Sequence, residues 1–561
     1  MKKPLDRLTD ELFPLGAGIA SQFVHQMYSL PPARFGVRTQ RNIEVPAADG
    51  IALLTDIYTP KDKGGHPTLV MRTPYGRFGF GVVAQIYAEH GFRTVLQACR
   101  GTDGSGGEFN PLVNEREDGL ATLEWIKQQD WFDGRLGTTG PSYLGYAQWA
   151  ICDALPQGAA ISAKSTSSDF QSIVFPNDAF SLQLWLSWLQ TVDGLDSELF
   201  GMTLRMATGD VERRTKSIAM QLPLAEADVA AIGKVSPFWR QWFEQAIDNP
   251  PFWDARRHTQ RLDENTPPNC FVTGWYDLML DEHLADYQRL VAAGHTPHLT
   301  IGRWTHTDNE LQGACLSQTL SWMSAHLLGQ KHALRKKPVR IYISGSEKWL
   351  ESDTFPPAPT SPETFFLREA DFLGLEPGTP PGSTSYRYDP ADPTPNIGGA
   401  IFAFVGAGAR DNEKLEARAD VRTFTCAPLH QDLVIIGNAR IVLYVRSSLE
   451  HTDFFVRLCD VDLHGVSTNI SDAIMRMKPG KFSPDAKGVC RLEFPLHACA
   501  HTFLKGHRIR LQVSSGAHPR FARNLGTDEP IGTATKMVAA DQEIFHGKEY
   551  PSAVSLPVCK I

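Results

Sequence analysis

Two hydrophobic rhythms alternate along the first third of the chain. Thr68-Leu69-Val70-Met71-Arg72 and Thr94-Val95-Leu96-Gln97 are continuous apolar runs, the pattern of strands buried on both faces. Between and after them, residues 82–89 and 115–129 space their apolar positions as helices do, with Leu120, Leu123, Trp125 and Ile126 on one side. Upstream, Ile43-Glu44-Val45 and the period-two run from Ile51 to Tyr58 flank Asp49-Gly50, which predicts a hairpin. The strand–helix rhythm returns with a strand at 269–274, a helix at 282–293, a strand at 298–302, a helix from about 316 to 328 and a strand at 339–343. Strands alternating with helices of this length call for a largely parallel sheet covered on both faces.

The rhythm breaks twice. Residues 168–262 carry Phe180, Leu184, Trp185, Trp188, Leu189, Phe200, Trp239, Trp242, Phe252 and Trp253 with little β-branched alternation. They are expected to form a helical insertion capping the carboxyl edge of the sheet, most of the aromatic stripe being plain packing. From Phe355 onward Pro and Gly become frequent, and alternating runs such as 439–445, 454–458 and 508–513 recur without long helices. That predicts an all-β sandwich of jelly-roll type. The expected organisation is a helical or irregular arm (1–36, with Phe13 to Met27 at helical spacing), α/β core (37–167), helical cap (168–262), second part of the core (263–354) and C-terminal jelly roll (355–561).

Composition narrows the partners. At 561 residues the chain exceeds one core, and 42% hydrophobic with 21% charged residues is ordinary for a globular protein. A formal net charge of -8 argues against nucleic acid and anionic membrane as partners. No apolar run approaches a membrane span, and the N-terminus reads as a poor secretory signal. Nine scattered cysteines without a C-x-x-C pair fit buried thiols in a cytoplasmic protein and give no support to a zinc cage. No cofactor and no metal are expected. Residues 79–84 match a G-x-G-x-x-A pattern but start too late after the strand, so a flexible loop is expected there.

Candidate chemistry centres on Gly140-Pro141-Ser142-Tyr143-Leu144-Gly145, between a strand-like and a helix-like run. A serine on a sharp strand-to-helix turn projects its hydroxyl from the sheet edge, where free helix N–H groups can meet an oxyanion. Here the second glycine, Gly145, stands one place later than in the usual Gly-x-Ser-x-Gly. Acyl transfer also needs a base and an orienting carboxylate. Asp277 and His306 each follow a strand end, and the order Ser, Asp, His is that of α/β-hydrolases. Asp281 or Asp308 could replace Asp277. His298 or His295 could replace His306 but fit less well, one lying in a strand and the other before it.

Several further motifs fall in register with these residues. They include Leu54-Thr55-Asp56-Ile57-Tyr58, Arg72-Thr73-Pro74-Tyr75, Arg100-Gly101, Glu117-Asp118-Gly119, Gly274-Trp275-Tyr276-Asp277, Gly302-Arg303-Trp304-x-His306 and, near the end, Pro519-Arg520-Phe521. With them the chain, from about residue 40 on, resembles the cocaine esterase-like (CocE/NonD) hydrolases, related to X-Pro dipeptidyl-peptidases and α-amino acid ester hydrolases. The resemblance implies an α/β-hydrolase fold, Ser142 as nucleophile, His306 as base and acid, and Asp277 as its orienter. It also implies an oxyanion hole made by the Tyr143 backbone N–H and the Tyr75 hydroxyl. Pro141, Arg303 and Ala98 depart from the family pattern and touch specificity more than chemistry. The expected substrate is a small ester or amide. An X-Pro dipeptidyl-peptidase or α-amino acid ester hydrolase would need an anionic subsite, for which Asp193, Asp196, Glu198 and Asp210 are cap candidates. A non-catalytic jelly-roll binding protein is the alternative of another class. The apolar cap and the sandwich leave room for a homodimer.

Overall fold

The computed structural model describes residues 18–561; Phe13 of the N-terminal arm lies outside them. Residues 18–27 form a first helix, α1. The catalytic-type core is one ten-stranded sheet, in the order β1-β2-β4-β3-β5-β6-β7-β8-β9-β10. Its strands are β1 (Val37–Pro46), β2 (Ala52–Pro60), β3 (Thr68–Thr73), β4 (Arg93–Ala98), β5 (Leu136–Pro141), β6 (Ala160–Lys164), β7 (Asn269–Tyr276), β8 (His298–Thr305), β9 (Val339–Ile343) and β10 (Lys348–Ser352). β4 to β9 run parallel along that order, and β1, β2 and β10 are antiparallel at the edges. The six residues of β3 and of β4 are all buried, as the apolar centres Leu69-Val70-Met71 and Val95-Leu96 lead one to expect when helices cover both faces. This is the α/β-hydrolase fold with an added C-terminal β-domain.

The covering helices are α2 (Arg77–Glu89), α3 (Glu115–Lys127), α4 (Tyr143–Trp149), α12 (Leu280–Ala292) and α13 (Asn309–Leu327), the numbering leaving room for seven helices inserted between β6 and β7. Residues 79–84 are therefore helical, not a loop. The two glycines are overridden because Arg77 anchors the first turn. Its N–H meets Asp103 Oδ2 at 2.8 Å, and its guanidinium reaches Asp56 Oδ1 at 2.6 Å. Helix α13 likewise begins seven residues before its expected start, since Asp308 caps it by accepting the Glu310 N–H at 2.9 Å.

The inserted helices run from α5 (Gln171–Val174) to α11 (Pro250–Asp254), and the longest, α6 (Leu182–Ser197), carries much of the aromatic stripe. Trp185, Trp188, Trp239, Trp242 and Trp253 are all buried in one cluster that also takes in Tyr143, Met279 and Phe402. The cluster thus joins cap, core and C-terminal domain. Residues 360–559 form a second, thirteen-stranded system, β11 (Thr360–Arg368) to β23 (Ala553–Cys559), whose inner faces bury a core of their own. The nine cysteines are free and buried. Among the described residues no helix is long and apolar enough to cross a membrane.

Candidate active site

Ser142 joins β5 to α4 at φ 57, ψ −124, a conformation that a non-glycine residue holds only when its surroundings impose it. Its own N–H is fixed to the Lys164 carbonyl at the end of β6, 2.9 Å away. Two glycines permit the turn. A Cβ on Gly140 (φ 147) would meet Leu144 Cβ at 2.4 Å, and one on Gly145 would meet Thr166 Cγ2 at 2.4 Å. The late glycine is thereby explained: Leu144 packs over Gly140, and the position that must be bare is the one facing Thr166.

Asp277 follows β7 and His306 follows β8. The strand ends approach closely because a Cβ on Gly274 would lie 2.1 Å from the Trp304 carbonyl oxygen. His306 Nδ1 sits 3.0 and 3.1 Å from the two Asp277 carboxylate oxygens, and His306 Nε2 lies 3.1 Å from Ser142 Oγ. A carboxylate only accepts, so Nδ1 carries a proton toward it, which leaves Nε2 facing the serine hydroxyl. Asp277 is fully buried and His306 is 8% exposed. Burial works against the Asp277 carboxylate. The His306 ring and the Met279 N–H, which donates at 2.9 Å, outweigh it and hold its pKa below the ordinary value.

Tyr75 approaches the same serine from the loop after β3. Burial pushes its phenol pKa up, so the group stays protonated; hydrogen bonds with Trp188, Ser142 and the Tyr143 backbone oppose that rise. The Tyr143 ring points the other way: its hydroxyl donates to buried Glu115 at 2.5 Å and accepts the Leu112 N–H at 2.9 Å.

The rivals lie elsewhere. Asp281 pairs with His497 at 2.7 Å, Asp308 caps α13, His298 packs on Trp322, and His295 bonds the Asp263 carbonyl. The cap acids are engaged too. Asp193 pairs with Lys234, Asp196 accepts the Asp103 N–H, Glu198 pairs with Arg205, and Asp210 with Arg213. Arg303 is a half-exposed partner of Glu310. Among the described residues no group of His, Cys, Asp and Glu side chains gathers as a metal would need.

Two neighbours of the site have no signal in the sequence. Trp188 Nε1 donates to the Tyr75 hydroxyl at 3.0 Å. Phe402, from the C-terminal domain, lies with its ring centroid 5.8 Å from that of His306. Thr307 beside it donates to the Ala403 carbonyl at 2.6 Å, which ties the histidine loop to that domain. Phe402 and Leu278 also line a cavity of about 630 Å³ where cap, α12 and β-domain meet.

An α/β-hydrolase sheet with a strained serine turn defines the class: a serine hydrolase. Residues 49–308 match the X-Pro dipeptidyl-peptidase (S15 family) model, and 331–555 match that of the X-Pro dipeptidyl-peptidase C-terminal non-catalytic domain. The chain is 29% identical to a cocaine esterase of Rhodococcus sp. (strain MB1 Bresler), over 92% of this chain and 98% of that one. It is a serine hydrolase similar over most of its length to the cocaine esterase-like hydrolases, a likeness that supports ester hydrolysis in general. The fold is shared with an aminopeptidase from the marine sediment archaeon Thaumarchaeota archaeon (21% identity) and an α-amino acid ester hydrolase (20%). Each of these two structures has a TM-score of 0.77 and covers 94% of this chain and 98% of its own.

Proposed function

We propose that the protein hydrolyses carboxylic esters through an acyl-enzyme formed on Ser142. The observation that carries this reading is the continuous chain Asp277–His306–Ser142, with contacts of 3.0 and 3.1 Å, ending on a serine that also touches the Tyr75 phenol. His306 Nε2 takes the hydroxyl proton as Oγ attacks the ester carbon. Asp277 holds the tautomer and stabilises the imidazolium that forms. The carbonyl oxygen, now negative, takes the Tyr75 O–H and the Tyr143 N–H. His306 then gives its proton to the leaving alcohol, and water repeats the sequence to free the acid.

Rings line the approach. Trp188 stacks on Tyr143 with centroids 6.0 Å apart, and Phe109 lies 6.1 Å from Trp188. With all four cap carboxylates occupied, an apolar acyl group fits this wall better than a free α-amine, which favours the ester reading over an X-Pro dipeptidyl-peptidase or α-amino acid ester hydrolase. A purely binding role is displaced by the family.

The test is hydrolysis of p-nitrophenyl acetate with fluorophosphonate labelling. Wild type should turn over and label, while Ser142→Ala should lose about 10⁴-fold or more in kcat and all labelling. Activity surviving in the variant would sink the assignment. Preference for Ala-Pro-anilide or amino-acid esters over simple esters would move the reading to the amine-recognising relatives.

A further inference from the structure

Trp188 sits one cap helix away from the reacting atoms, yet it touches both tyrosines that the mechanism uses. Its indole N–H donates to the Tyr75 oxygen at 3.0 Å, and its ring lies nearly parallel to that of Tyr143, at 18°. The partners of the Tyr75 hydroxyl decide where its one hydrogen goes. A phenol has a single O–H donor and an oxygen that accepts twice, while an indole N–H and a backbone N–H can only donate. Trp188 therefore takes up the accepting side of the oxygen, which leaves the Tyr75 hydrogen free to point at an acceptor beside the serine.

From this arrangement, and resting on the ester-hydrolase reading above, we infer that Trp188 is a positioning residue of the oxyanion hole. Its N–H orients the Tyr75 O–H toward the reacting centre and polarises it there. When the tetrahedral adduct forms, the Tyr75 hydrogen swings to the new oxyanion without giving up the Trp188 bond. Donation into the phenol oxygen makes its O–H a stronger donor, as linked hydrogen bonds reinforce one another. The device belongs to the cap: α6 holds Trp188 by edge-on packing against Trp185 and Phe238, centroids 5.4 and 5.9 Å away. Cap geometry thus reaches the oxyanion site through one indole nitrogen, in addition to shaping the acyl pocket.

A double-mutant cycle tests it. Trp188→Phe keeps an aromatic ring and removes the N–H, so kcat for p-nitrophenyl acetate should fall about tenfold with KM nearly unchanged. Tyr75→Phe should cost about 10²- to 10³-fold. Adding Trp188→Phe to Tyr75→Phe should change kcat by less than about twofold, because the indole acts only through the phenol. An equal tenfold loss in both backgrounds, a wild-type kcat in Trp188→Phe, or a loss confined to KM would each overturn the inference and leave the ester-hydrolase reading standing. A Tyr75→Phe variant with wild-type kcat would remove the oxyanion assignment and this inference together. If Trp188→Phe does not fold, ¹⁵N-tryptophan spectra of the remaining proteins decide. The indole N–H resonance that moves in Tyr75→Phe should be the one that moves downfield when fluorophosphonate occupies Ser142. An unmoved resonance would overturn the inference.

Discussion

On the cap side of Ser142 the contacts are ring against ring, whereas on the C-terminal side of Asp277 they are ion pairs. Trp185 meets Trp242 edge-on at 4.5 Å, Trp188 stacks over Tyr143, and Phe180 packs on Trp239 and Phe243. Across the other joint, Asp281 of α12 pairs with His497 and also accepts from Asn438 Nδ2 at 2.8 Å and the Ala498 N–H at 3.0 Å. Behind it, fully buried Arg457 and partly exposed Arg520 both bond Asp472, at 2.9 and 2.5 Å. Apolar contact is non-directional, so the cap can change side chains and reshape the wall beside Ser142 while remaining folded. Charged pairs in a fixed geometry tolerate no such drift. They hold the β-domain where Phe402 and the Ala403 carbonyl meet the histidine loop.

That contrast can be broken most severely at its centre. Asp277→Asn should leave the fold intact and lower kcat about 10⁴-fold, since the ring would be held in the wrong tautomer; a steady-state assay beside a melting curve checks both halves. Next in size, Asp472→Ala strands Arg457 without a counter-charge and should cost about 3–5 kcal/mol of stability. The thermal midpoint should drop, with kcat per folded molecule little changed. A sharper probe is Phe402→Ala. It removes a ring shared by His306 and the interdomain cavity, so bulky aromatic esters should lose about tenfold in kcat/KM while acetate loses much less. Equal losses for both esters would mean that the ring supports His306 and does not contact substrate.

The two sides also differ in how much of them the sequence displays. The sheet was legible because β3 and β4 have apolar centres, Leu69-Val70-Met71 and Val95-Leu96, and the loops after β7 and β8 followed from the same rhythm. Asp277 and His306 are candidates from their place after strand ends, and Ser142 from Gly140 and Gly145; the fold brings the three within hydrogen-bond reach. Helix α2 was misjudged at its start, because what overrides its glycines is the bond between Arg77 and Asp103, a tertiary contact. Trp188 could not be told from its aromatic neighbours, since its distinction is one nitrogen pointing at a residue in another element. Phe402 and the Asp281–His497 pair join segments far apart in the chain, and no local periodicity marks such a meeting.

The smallest effect tests that last pair. Burial alone would lower the His497 pKa, but the Asp281 carboxylate outweighs it and the pKa is raised. A histidine whose folded pKa exceeds its unfolded value of about 6.5 binds more protons in the native state. Its contribution is therefore fully present below that unfolded value and is lost as pH rises through the folded one. Asp281 keeps 37% of its side chain open to solvent at the cavity, and screening limits the pair to under about 1 kcal/mol. Asp281→Asn retains an oxygen to accept from Asn438 and Ala498 and removes only the charge. The gap in thermal midpoint between wild type and this variant should be widest near pH 6 and close toward pH 9. A gap that stayed constant or grew with pH would mean that neutral hydrogen bonds hold this joint, and the contrast with the cap would narrow to one of polarity without charge.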